Sequence, residues 1–414
     1  MIAAMLAGLT LCVGAASAET VLIRGGKVVT NTSAAILESG DVLIENGRIS
    51  AVGQNVRAPA GARIIDAQGK WVTPGVFAAM SEVGLYEISG SGAPNDASVS
   101  KDSVSAAANA ADAFDPAVSA IAVTRIEGVT RAAIAPTSEE GLFSGQGALV
   151  SMSGESDSVF RARAFIMLKL GEDGAERTGG SRTATWAMLN AALRDAREYP
   201  GRYRSGQGGA VLGELDAEAL APFARGEGLI IAQVERAADI RALLRFARAN
   251  PRLRFAIHGG AEAWHVARDI AAARIPVILD PFAALPDRFE RFGARPDNVA
   301  LLQAAGVTIA IAPAPGSVDA PQTRLALQLA GNAVAHGLDW DAAFAAITSG
   351  PAAIFGVDRD LGALAKGKLA DVVIWDGDPL ELMSAPTAVY IAGRAMPLTS
   401  RQTALRDRYM PKAR

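Results

Sequence analysis

Short apolar runs recur through the middle of the chain: "GVTRAAIAP", "GALVSM", "AFIMLKLG", "GLIIAQV", "RFAIHGG", "IPVILDP" and "VTIAIAP". Runs that are apolar at nearly every position belong to strands buried on both faces, as in parallel sheets. Between the later ones lie "RTATWAMLNAALRDAREY", "RAADIRALLRFARA", "AEAWHVARDIAAA" and "TRLALQLAGNAVAHG", whose apolar residues repeat with helical spacing. Each ends near Gly, Pro or a basic residue, as helix stops do. Strand and helix alternating over roughly 290 residues is the pattern of an α/β chain folded as a (β/α)8, TIM-like barrel. No Gly-x-Gly-x-x-Gly follows the first strand, so a doubly wound dinucleotide fold is disfavoured.

The two ends have another texture. Residues 20–73 contain "TVLIRGGKVVT", "DVLIENGRISAVG" and "ARIIDAQGKWVT", alternating apolar and polar residues punctuated by Gly-Gly, Asn-Gly and Gln-Gly turns. Similar strands return in "LADVVIWDGDPLE" and "TAVYIAGRAM", around an Asp-Gly-Asp-Pro turn. Between the first of these units and the barrel's second strand, residues 87–113 are rich in Ser, Ala, Gly and Asn, a surface excursion or a lid.

At 414 residues, half of them apolar, the chain can bury one large core. Forty basic side chains against 43 acidic ones leave no electrostatic footprint for nucleic acid or an anionic membrane. The opening "MIAAMLAGLTLCVGAASAET" is an apolar run ending in Ala16-Ser17-Ala18, although no Lys or Arg precedes it. It reads as a signal peptide cleaved after Ala18, which implies a periplasmic or secreted protein. Cys12, the one cysteine, would leave with it, so no disulfide framework is expected. No later segment is long and apolar enough to span a membrane.

"WVTPGVFAAMSEVG", the barrel beginning at Pro74, and above all "GALAKGKLADVVIWDGDP" (362–379) carry a resemblance to the amidohydrolase superfamily, most closely its secreted, imidazolonepropionase-related branch. "SGQGALVSM", "QVERAADIRALLRFA" and "AAFAAITSGPAAIFGVDRDLG" extend it over nearly the whole mature chain. The resemblance implies a composite β-sandwich domain built from residues 19–73 and 362–398, a barrel over 74–361, and a C-terminal tail, 399–414.

In that family one or two divalent metals at the C-terminal ends of the barrel strands activate a water and polarise the carbonyl it attacks. The first-strand motif is Pro-Gly, two apolar residues, Asp, one residue, then His-x-His. Laid on Pro74 and Gly75, it puts Ala78 at the Asp and Met80 and Glu82 at the two His positions. After the fourth strand, Lys169 and Glu172 are candidates for a metal-bridging role, or are surface charges. The fifth-strand His position holds Gln233, with Glu235 two residues on; the sixth-strand His remains as His258. The last-strand Asp, the expected general base, falls in a window holding Ala312, Pro313, Ala314 and Pro315, and Asp319 lies beyond it. The degenerate positions are therefore Ala78, Met80, Glu82, Gln233 and Ala314. His258 with Glu82 and Glu235 could make a His/carboxylate set for one divalent ion, Mn2+ in preference to Zn2+. Most of the donors are gone, so no metal is expected.

Other chemistries find no better support. No Gly-x-Ser-x-Gly elbow or mature cysteine offers a nucleophile, and acidic residues such as Glu82, Glu235 or Asp280 occur at any barrel mouth by chance. His265 sits in a helical segment and His336 near a helix C-terminus, where a cation is favoured by the helix dipole. The expectation is a pseudoenzyme whose pocket mouth, Glu82, Gln233, Glu235 and His258, binds a small molecule. It could equally hold a partner subunit, as a homodimer or paired with an active relative. Family resemblance alone implies the alternative, an active hydrolase of non-peptide carbon–nitrogen bonds such as those of cyclic amides.

Overall fold

The computed structural model describes residues 19–33, 36–87, 95–100, 104–204, 208–314 and 322–410. The signal-peptide reading, residues 1–18, lies outside them, as do Pro315 and Asp319. No helix among the described residues is long and apolar enough to cross a membrane.

The chain's two ends meet in one eight-stranded sheet. Strand Val21–Val28 lies between Leu37–Glu45 and Trp71–Pro74, and Val372–Trp375 from the C-terminal segment pairs antiparallel with Trp71–Pro74. Val21, Ile23, Val42, Ile44, Val72, Val372 and Ile374 form its buried face. Asn46 and Gly47 both take positive φ (51° and 77°) between Leu37–Glu45 and Arg48–Gly53, the conformation a two-residue hairpin turn demands. The Gly25-Gly26 pair, expected as a turn, instead lies within strand Val21–Val28, where the register shifts. A β-carbon on Gly26 would come within 2.6 Å of Val72, so glycine there admits a neighbouring strand.

A second eight-stranded sheet curls into the barrel. In chain order its strands are Val76–Ser81, Val129–Ile134, Phe143–Ser151, Val159–Lys169, Leu229–Val234, Arg254–Gly259, Val277–Leu279 and Ile309–Ile311. The amides of Phe77 and Ile311 donate to the carbonyls of Ile347 and Ala346, so that short segment bridges the first and last strands. The third strand runs antiparallel to both its neighbours. The connections on either side of it are too short for a crossover helix, which takes about a dozen residues.

Inside, Phe77, Leu149, Phe165, Met167, Ile231, Ala256, Ile278 and Ala310 form one buried cluster. Phe355 closes its lower end, with ring centroids 5.9 Å from Phe77 and 5.2 Å from Phe165. Outside, helix Arg182–Glu198 buries Leu189, Ala192, Leu193 and Ala196, and helix Ala237–Ala249 buries Ile240, Leu243 and Leu244. These are the apolar stripes of amphipathic helices. The barrel and the terminal sheet are tied at Arg131, on the second barrel strand, whose guanidinium donates to both oxygens of Asp371 at 2.6 and 3.0 Å.

Candidate functional site at the barrel mouth

Parallel register aligns Lys169, Gln233 and His258 across the C-terminal ends of the fourth, fifth and sixth strands. Gln233, His258, Met80, Glu82, Met167 and Pro313 line one small cavity there, of about 30 Å3, with Ala314 at its edge. That is room for one or two water molecules.

His258 is buried, and its Nε2 lies 3.0 Å from the Pro313 carbonyl oxygen. A carbonyl only accepts, so Nε2 carries the proton. Burial, reinforced by the positive charge of Arg291 and opposed by the Pro313 contact, pulls the imidazole pKa down to about 4. The ring is therefore neutral near pH 7, and Nδ1 holds a bare lone pair, buried and without a hydrogen-bond partner among the described residues. It is an acceptor in want of a donor.

Glu82 sits just past the first strand, partly buried, and Tyr86 donates to its Oε2 at 3.4 Å. Burial raises its pKa, and the Tyr86 bond lowers it by less. Lys169 ends the fourth strand with Nζ donating to the Ser138 carbonyl; burial, then the Arg177 charge, draws its pKa down to about 8.

The first strand departs from the expected register. Between Ala78, paired with Ala132, and Ser81, paired with Ile134, the first strand carries one residue more than its partner, a bulge that offsets the opposite shift between Val76 and Phe77. Phe77, Ala79 and Met80 belong to the barrel-interior cluster, whereas Ala78 packs in the other core with Val129, Ala132 and Ile121. Met80 and Glu82 thus reach the cavity and Ala78 does not. Ser81 is held instead by Thr323 and by the Val83 amide.

Glu235 is also turned to other work. Its Oε1 accepts from Arg291 at 2.7 Å and its Oε2 from the Ala261 amide at 2.9 Å. It lines a neighbouring recess with Asp280, whose carboxylate accepts from the Phe282 and Ala314 amides. Glu172 lies 3.9 Å from Arg182 and does not line the cavity. His265 stacks on Trp264, and His336 contacts the Asn332 carbonyl from the end of helix Ala326–Ala335; both are exposed.

One residue the sequence did not flag stands beside this mouth. Glu290 is buried between two exposed phenylalanines, Phe289 and Phe292, on the segment after the seventh strand. Its Oε2 accepts from the Glu172 amide at 2.9 Å and lies 3.6 Å from Arg182. Burial, joined by the negative charges of Glu172, Asp173 and Glu235 and opposed by the Glu172 amide, pushes its pKa up to about 7. Gly171 has φ +65°, and a β-carbon there would meet Glu290 Oε2 at 2.6 Å. A short "FERF" run looks like an exposed amphipathic turn; no local signal marks its Glu as buried.

The donors among the described residues do not make up the ligand set of a catalytic metal. Among the described residues no group of three or more His, Cys, Asp or Glu side chains is assembled to hold one. Of the His258, Glu82 and Glu235 set, Glu235 is committed to Arg291, and His258 has one lone pair to offer. Catalytic zinc uses about three protein ligands.

Comparison with known proteins places the chain in context. The Amidohydrolase family model matches residues 285–399. The amidohydrolase tasK of Hapsidospora irregularis is 26% identical over 397 residues, 86% of this chain and 40% of that protein. This chain therefore spans less than half of that relative. The imidazolonepropionase of Acidiphilium cryptum is 27% identical over 372 residues, covering 84% of this chain and 90% of the enzyme. Among solved structures, an amidohydrolase from Thermotoga maritima superposes with a TM-score of 0.80 at 25% identity, over 92% of this chain and all of that one.

Proposed function

The chain belongs to the amidohydrolase superfamily, and from that premise we propose that its barrel mouth is a small polar binding pocket in place of a metal-hydrolase centre. The donor set carries this reading. His258 spends Nε2 on Pro313 and keeps one free lone pair at Nδ1, with Gln233 in adjacent register and Glu82 lining the same cavity.

The ligand that suits this arrangement brings an N–H or O–H donor to Nδ1 and uses the Gln233 amide for orientation. Entry of anything larger than water requires Met80 and Met167 to move, and unbranched thioether side chains adapt readily. Small amides and ureas have the matching groups.

A second reading, hydrolysis of a carbon–nitrogen bond, is favoured by Glu82: a carboxyl with a raised pKa beside the pocket is a proton carrier. The relatives' names point the same way. Elemental analysis of protein purified without chelators from medium containing Zn, Mn, Fe and Co separates the two. Substoichiometric metal, unchanged in His258→Ala, supports the binding reading. Near-stoichiometric metal that disappears in His258→Ala overturns it.

A further inference from the structure

A cavity lies at the opposite end of the barrel from His258. It is an open recess of about 670 Å3, a volume that takes a small organic ligand. Leu244, Phe255, Ile275 and Ile354 give it an apolar floor, and all four are buried. Around them stand Arg248, Arg254 and Arg274, with Asp269 the sole carboxylate among the lining residues. None of the three guanidinium groups has an ion-pair or hydrogen-bond partner among the described residues.

Arg274 adds a second, independent observation. It ends helix Ala267–Ala273 in the left-handed conformation, φ 53° and ψ 36°, a position ordinarily given to glycine. An L side chain held there is strained, and such strain gathers at ligand clamps. The helix stop alone would be better served without the guanidinium.

We propose that this cavity binds a small organic anion with an apolar body, an aryl or branched alkyl carboxylate. Its hydrocarbon rests on Phe255 and Ile275, and its carboxylate is held by Arg254 and Arg274. Three cations against one anion select the charge, and guanidinium forks match a carboxylate geometrically. Catalytic groups of such barrels sit at the other face, so this site is separate from the His258 pocket and does not depend on the reading given to it.

The test is calorimetric titration of the full chain with phenylacetate, with 2-phenylethanol as the uncharged counterpart. Saturable phenylacetate binding that weakens as salt is added, and no binding of the alcohol, is the expected result. Arg254→Ala and Arg274→Gly should each weaken phenylacetate about tenfold or more. Arg274→Gly also relieves the strained turn, so its melting temperature should hold or rise and a folding defect cannot explain the loss. His258→Ala should bind as the parent does. Absent binding, equal binding of the alcohol, affinity surviving in both arginine variants, or loss in His258→Ala would each overturn the proposal.

Discussion

His258 donates from Nε2 to the carbonyl of Pro313 across 3.0 Å, fixing the tautomer of an imidazole whose other nitrogen has no partner among the described residues. With its pKa lowered to about 4 by burial, the ring should stay predominantly neutral between about pH 5 and 8. Nitrogen-15 NMR should report a protonated Nε2 and a bare Nδ1 throughout that range. A resonance from His258 that titrates near neutrality would refute the burial argument. Between about pH 6.5 and 4 the unfolded chain takes a proton that the native ring refuses, so His258 makes stability fall with acidification, by about 3 kcal/mol at most.

Glu290 should act with the opposite sign. Its native pKa is raised to about 7 from an ordinary 4.5. Between those values the native state holds a proton that the unfolded chain has lost, so stability falls as pH rises through the window. The two slopes oppose each other from about pH 4.5 to 6.5. Urea midpoints of the parent should therefore vary little there, while Glu290→Gln should expose the rising slope of His258. Parallel pH profiles of parent and Glu290→Gln would mean that the carboxyl titrates normally.

The terminal sheet was legible because its signals are local: Asn46-Gly47 dictates a hairpin turn, and the apolar run "VVIW" between Asp371 and Asp376 marks a strand, buried at all four positions. The barrel was legible from its continuous apolar runs. What escaped was set by neighbours. The bulge that parts Met80 from the face of Ala78 depends on pairing with Val129–Ile134, and nothing in "GVFAAMS" announces it. The reversed third strand could have been read from its short connections, since a parallel neighbour needs a longer crossover. Glu290 and the Glu235–Arg291 pair could not, because their partners arrive from different strands and loops.

Arg131 and Asp371 offer a prediction about how the two sheets hold together. Both side chains are 7% exposed, and Asp371 Oδ1 also accepts from the Ala392 amide at 2.7 Å. Arg131→Met leaves that carboxylate buried without its cation, a loss of about 3–5 kcal/mol. Arg131→Met combined with Asp371→Asn should recover part of it, since no charge is then stranded. Chemical denaturation of the three variants checks this. Equal loss in the single Arg131→Met and the double variant would show that the charge itself contributes little.

Phe355 bears on whether the barrel's two ends are independent. Its ring packs against Phe77 and Phe165, far along the strands from Gln233 and His258. Phe355→Ala removes that contact and opens a cavity, which should cost about 3–5 kcal/mol. Phe355→Leu keeps most of the volume and should cost about 1.5 kcal/mol or less. Neither change reaches the Pro313 carbonyl, so the His258 nitrogen-15 shifts should stay as in the parent in whichever variant remains folded. A moved Nε2 resonance in Phe355→Leu would mean that packing at the base sets the geometry at the mouth, and the interior would then act as one rigid column linking the two ends.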